Sequence, residues 1–162
     1  MKVENYEIDK SKVIIKNILN EALESEIITK EEFTAMDPSN KNLAKFYMNF
    51  KVHKPHQPMT APPPRPIISG SGSITENLGV YVEHHIENIA NKHDTYLQDT
   101  PDFLRIINKI NQETQIPINA LLVTIDAIGL YTNIPQEYGT QCLQEALDDS
   151  DKSQFIVKLV KL

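Results

Sequence analysis

Asp126 ends a near-continuous apolar run, Leu121-Leu-Val-Thr-Ile-Asp126, and Tyr131 follows five residues later. The run reads as a buried strand, and an ionised Asp is almost never buried unless it is paired or holds a metal. Upstream stand Lys51 and Lys54, in Lys51-Val-His-Lys-Pro55, and Arg65, in Arg65-Pro-Ile-Ile-Ser69. These are the residue types that nucleotidyl transfer needs. Mg²⁺ takes hard oxygen ligands, through one or two carboxylates plus substrate phosphates. Two such ions clamp the attacking and leaving oxygens of an in-line displacement. Cations opposite neutralise a triphosphate, and an Arg offers it bidentate contacts. An aromatic behind the metal can occupy the place of a ribose 2′-oxygen and so separate deoxy- from ribonucleotides.

Bulk properties narrow the setting. The chain has 162 residues, the length of about one domain. Its net charge of −6 argues against a nucleic-acid binder, but the charge is uneven. Residues 41–75 carry Lys41, Lys45, Lys51, Lys54 and Arg65 and no Asp or Glu. That segment can meet phosphate, or it can be a solvated surface biased by chance; composition alone leaves both open. The single cysteine, Cys142, excludes an internal disulfide framework and fits a reducing compartment. The first residues contain no apolar h-region, and no apolar run approaches the roughly 18 residues of a membrane span. The expectation is an intracellular protein with no membrane contact, nuclear and cytoplasmic location being equally compatible.

The positioning elements follow from periodicity. Residues 11–28 predict a helix with Ile14, Ile18, Ala22 and Leu23 on one face. Thr29-Lys-Glu-Glu32 is a capping-box pattern opening a second helix, which Asp37-Pro-Ser-Asn40 stops. Residues 44–53 alternate, with Phe46, Met48, Phe50 and Val52 on one side of a strand. Lys54 to Pro66 reads as a proline-rich loop, and Ile67-Ile-Ser69 as the strand's hairpin partner. Ser73-Ile-Thr-Glu76 is a second capping box, opening a helix that faces inward with Leu78, Val82, Ile86 and Ile89. Thr100-Pro-Asp starts another, with Phe103, Leu104, Ile107 and Ile110 expected inside. A strand over 119–126 is followed by a helix from Pro135 through Leu147, and Phe155, Ile156, Leu159 and Val160 end the chain on helical spacing. The fold class is α+β. Residues 1–40 form an N-terminal helical segment, and 41–162 carry the candidate chemistry.

Three blocks stand in order: Phe46-Tyr47 with Lys51-Val-His-Lys-Pro55, then Arg65-Pro-Ile-Ile-Ser69, then Asp126-Ala-Ile-Gly-Leu-Tyr-Thr-Asn-Ile-Pro135. Together they resemble the reverse transcriptase domain of Penelope-like retroelements, over about residues 10–147. The resemblance implies a fragment of a right-hand polymerase: a helical N-terminus, a fingers β-hairpin, helices, and the first palm strand. It implies an RNA-directed DNA polymerase that uses Mg²⁺, an RNA template, a DNA primer and dNTP. Asp126 would be the catalytic metal ligand, and the Ala127 carbonyl would face the second metal. Tyr131 would be the sugar gate, while Lys51 or Lys54 and Arg65 would contact the incoming triphosphate. Thr132-Asn-Ile-Pro135 would shape the turn into the next helix. The family's second acidic motif is an aromatic, any residue, then two aspartates. Asp148-Asp149 has Ala146 where the aromatic belongs, so this pair reads as a helix-ending acidic loop. The chain is therefore expected to stop short of that motif, to be inactive alone, and to fold marginally with an exposed edge near 119–126.

Two other functions compete. One is a non-catalytic RNA- or DNA-binding remnant using 41–65. The other is an interaction module that displays Pro62-Pro-Pro-Arg-Pro66 to an aromatic-lined groove. His53 and His56 form an H-x-x-H, and His84 adjoins His85, but zinc needs three or four ligands. His85 reads as a satisfied core histidine and Cys142 as a small buried hydrophobe.

Overall fold

A helix spans Asn5–Glu24 (α1) in the computed structural model, which describes residues 5–52, 60–113 and 116–162. The adjacent isoleucines at 14 and 15 offer two equivalent helical stripes. The fold uses the second: Ile15 is 3% exposed and Leu19 0%, whereas Ile14 is 45% exposed. The inward face is thus one residue away from the expected one, with Ala22 common to both. Local spacing cannot choose between them; tertiary packing does. The last helix, Asp151–Val160 (α7), buries Phe155, Ile156, Val157 and Leu159 and lines a groove with Ile18, Glu21 and Ala22 of α1. Ser150 caps it, its hydroxyl accepting from the Ser153 amide at 3.2 Å.

Thr29 starts a short helix, Lys30–Met36 (α2), with the capping box expected of it. The Glu32 amide donates to the Thr29 hydroxyl at 3.1 Å, and the Thr29 amide to the Glu32 carboxylate at 2.7 Å. The second box does not form. A helix spans Glu76–Asn91 (α3), but the Glu76 carboxylate accepts from Lys41 at 2.9 Å, and the Ser73 hydroxyl pairs with that of Thr75 at 3.2 Å. Ser73 is buried in a bridge to Asn42, so its side chain is not free to cap.

Strands Lys45–Phe50 (β1) and Pro64–Ser69 (β2) form an antiparallel hairpin, as expected. β2 begins three residues earlier than Ile67, inside the stretch read as loop. The register explains how prolines are tolerated. The Lys51 amide donates to the Pro63 carbonyl at 2.9 Å, which fixes 51/63 as a hydrogen-bonded pair. Alternate pairs, Asn49/Arg65 and Tyr47/Ile67, then exchange bonds, and the nitrogens of Pro64 and Pro66 face away from β1.

The chain divides into two compact units, Met1–Glu83 with Asp148–Leu162, and His84–Leu147. The buried core lies in the first. There the Tyr81 and Phe155 rings meet edge-on at 5.9 Å and 74°, a geometry aromatic pairs favour.

The second unit contains no buried residue among those described. It holds the second half of α3, from His84, and the helices Thr100–Glu113 (α4), Leu130–Asn133 (α5) and Gln136–Ala146 (α6). α4 is amphipathic as read, but Phe103, Leu104 and Ile110 are exposed and not inside. The palm strand expected over 119–126 is also absent. Residues 121–127 belong to no helix or strand, and none hydrogen-bonds the backbone of another described residue. A strand exists only through a partner, and the sheet of the described residues has two strands that satisfy each other. No helix is long and apolar enough to cross a membrane.

Candidate nucleic-acid interface

Directly opposed residues of an antiparallel pair share a face, so the register sorts the hairpin into two surfaces. Phe46, Met48 and Phe50 oppose Ile68, Pro66 and Pro64 on one surface. Lys45, Tyr47 and Asn49 oppose Ser69, Ile67 and Arg65 on the other. Lys51 continues that second surface through its bond to Pro63. Arg65 sits across from Asn49, so Lys51 is its diagonal neighbour, roughly 7–8 Å away between backbones. Both cations can therefore reach neighbouring phosphates of one chain.

Nothing on the hairpin opposes this charge. Residues 41–75 contain no carboxylate, and Lys45, Lys51 and Arg65 form no ion pair with a described residue. Lys41 differs from the rest of the basic segment. Its ammonium is held 2.9 Å from Glu76. The hydrogen bond from Lys41, and then one from the Gly72 backbone, hold the Glu76 carboxyl below its usual range. Lys41 is thus committed to the fold, and the basic face is narrower than 41–65. Sequence reasoning used Tyr47 only as a motif marker. Its odd-numbered parity with Lys45 and Lys51 was the signal that puts an exposed aromatic among the cations.

The other candidates lie elsewhere. Lys54 falls outside the described residues, as do His53 and His56. Lys51 and Arg65 belong to the first unit; Asp126, Ala127 and Tyr131 belong to the second. Asp126 and Ala127 are exposed within the unpaired segment. Tyr131 is in α5 by its backbone, and its side chain is outside the described part.

The turn between them is built by side chains. Gly129 has φ +62, and a Cβ there would stand 3.1 Å from the Thr132 hydroxyl and 3.2 Å from the Asn133 amide nitrogen. The Thr132 hydroxyl donates to the Gly129 carbonyl at 2.9 Å, and Asn133 donates to the Ile128 and Gly129 carbonyls at 3.0 Å. Thr132 and Asn133 thus hold the turn that leads into α6.

Among the described residues, no three His, Cys, Asp or Glu side chains are grouped to hold a metal. A lone Asp126 does not fit a two-metal site. The His84 and His85 rings lie edge-on at 5.3 Å, and His85 is half-buried and not a core residue. Cys142 is exposed, contrary to the expectation of a buried hydrophobe. α6 buries no residue, so no side of it shelters a thiol. No protein-family model, curated protein or solved structure matches the chain.

Proposed function

We propose that this chain is the fingers and first palm portion of a retroelement RNA-directed DNA polymerase, and that its own contribution is to bind nucleic acid or nucleotide phosphates. The observation that carries this reading is the carboxylate-free face of the hairpin, where Lys51 and Arg65 are diagonal neighbours beside Tyr47. Arg65 supplies a planar fork for phosphate oxygens, Lys51 a point charge, and Tyr47 a ring on which a base can stack. Asp126 takes the position of a Mg²⁺ ligand in the polymerase resemblance. One carboxylate does not make a two-metal site, so we assign the 162 residues no transfer step of their own.

Pro64 and Pro66 are committed to β2, so Pro62–Pro66 is not free to dock as a polyproline helix. That favours the basic face over the proline-motif reading.

Binding of a labelled RNA–DNA hybrid, followed by fluorescence anisotropy across a salt series, tests the proposal. Affinity should fall linearly on logarithmic axes, and Lys51→Ala or Arg65→Ala should each lower the slope by about 1. Salt-independent binding, or none in low salt, would overturn it. Template-primed dNTP incorporation that Asp126→Ala abolishes would overturn the absence of a transfer step.

A further inference from the structure

The register sets Tyr47 in the middle of the basic face. It opposes Ile67, and the Cα atoms of such a hydrogen-bonded pair stand roughly 5.5 Å apart. Lys45 and Asn49 lie roughly 7 Å to either side along β1, at strand spacing. Ser69 and Arg65 are its diagonal neighbours on β2, at roughly 7–8 Å. Tyr47 is 47% exposed, and Ile67 beside it is half-buried. An aromatic and a branched aliphatic thus form a small apolar platform. Every neighbour of that platform on the face is polar or cationic.

Charge decides what the platform takes. Lys45 marks one end of the face and Lys51 with Arg65 the other, with no carboxylate between them. A ligand that meets both ends carries negative charge at both and a flat apolar surface between. Nucleic acid has that pattern. A duplex keeps its base faces stacked inside the helix and offers the platform only backbone and groove edges. An unpaired base has a free face, and stacking on an aromatic tolerates any base. A free nucleotide has the base but charge on one side only. Lys45 and Lys51 are six residues apart on one strand, roughly 20 Å at strand spacing, so a single nucleotide meets one end and a polynucleotide meets both.

We infer that the hairpin face selects single-stranded nucleic acid over both duplex and free nucleotide. An internal base of the strand sits on Tyr47 and Ile67, and its flanking phosphates meet Lys45 at one end and Lys51 and Arg65 at the other. The inference rests on the nucleic-acid reading of the same face and adds the form of nucleic acid that the face takes.

Fluorescence anisotropy of the full chain with labelled oligothymidylate, which does not pair with itself, tests it against a duplex of the same length and against dTTP as competitor. The single strand should bind at least tenfold more tightly than the duplex. At equal phosphate concentration, dTTP should compete at least tenfold less well than unlabelled single strand. Tyr47→Ala should cost the single strand about tenfold more than it costs the duplex, and Tyr47→Phe should retain the preference. Lys45→Ala should lower the single-strand salt slope by about 0.7, the share of one phosphate contact. The chain has no tryptophan, so Tyr47→Trp installs a lone reporter whose emission should be quenched by single strand and not by duplex. That signal reads stacking even if Tyr47→Ala fails to fold. Equal affinity for the two forms, or quenching by both, would overturn the inference and leave the basic face standing. Strong competition by dTTP would overturn it in favour of a nucleotide site. Salt-independent binding of every probe would overturn the basic face itself, and this inference with it.

Discussion

Lys158 donates to the Glu21 carboxylate at 2.6 Å, joining two helices whose residues are 137 positions apart. The contact lies beside a groove of about 310 Å³ between α1 and α7, floored by Ile18, Ala22 and Phe155. The last helix is thus part of the first unit's core, and the burial it brings outweighs its exposed ion pair.

Phe155→Ala should therefore destabilise the first unit by about 3–5 kcal/mol, because Phe155 is buried against Tyr81 and a cavity would remain. Leu104→Ala on α4, where the side chain is exposed in the monomer, should change stability by no more than about 0.5 kcal/mol. Urea unfolding of both variants at a concentration where the chain is monomeric checks the contrast. Equal losses would contradict the placement of the core.

The capping box of α2 makes a smaller prediction. Thr29→Ala removes the acceptor of the Glu32 amide and should cost about 1 kcal/mol, whereas Thr29→Ser should be nearly neutral. Urea midpoints of the two variants measure it.

Acid should act through the carboxyls that hydrogen bonds hold down. Glu76 lies below its usual 4.5 through Lys41 and then Gly72, and Asp148 below its usual 3.8 through the hydroxyls of Ser150 and then Ser153. A depressed folded value means that the stabilisation is in place above the unfolded value and is lost as pH falls through the folded one. The chain should thus lose stability below about pH 4.5, and Lys41→Ala should blunt the loss assigned to Glu76. Urea midpoints between pH 6 and pH 3 for wild type and variant give the comparison.

Alkali acts in the opposite sense. Burial, and then the Glu32 charge, push the Tyr81 phenol up to about 12 from 10.0. The raised value means that the folded chain keeps its proton while the unfolded chain loses one. Stability should fall by roughly 2–3 kcal/mol as pH rises from 10 to 12, and Tyr81→Phe should remove that part of the fall.

Gly129→Ala should loosen the turn before α5, since it forces an L residue to φ +62 and crowds Thr132 and Asn133. The cost is about 1–2 kcal/mol. Hydrogen exchange at the Thr132 and Asn133 amides should speed up, with the α1 amides unchanged.

What was legible in the sequence is what local chemistry decides. The Thr29 box needs only four consecutive residues, and the β1–β2 hairpin follows from alternation and a nearby partner. The inward stripe of α1 was not legible, because Ile14 and Ile15 are interchangeable by local spacing, and packing buries Ile15. The Ser73 box failed because a distant cation, Lys41, claimed Glu76. The strand at 119–126 and the buried stripe of α4 were read correctly as apolar. Apolar periodicity reports a demand for a partner and cannot say whether one is present. The basic face was legible as cations without carboxylates, but its membership was not. Only the register separates Lys45, Tyr47, Lys51 and Arg65 from the apolar side, and only Glu76 removes Lys41.

The prolines of β2 carry one more consequence. With no amide hydrogen at 64 or 66, the outer edge of the hairpin lacks two of the donors an incoming strand would need. Sheet growth from that side is blocked at its root, so fibrils formed by concentrated protein should incorporate residues 121–125 and leave 64–69 accessible to protease.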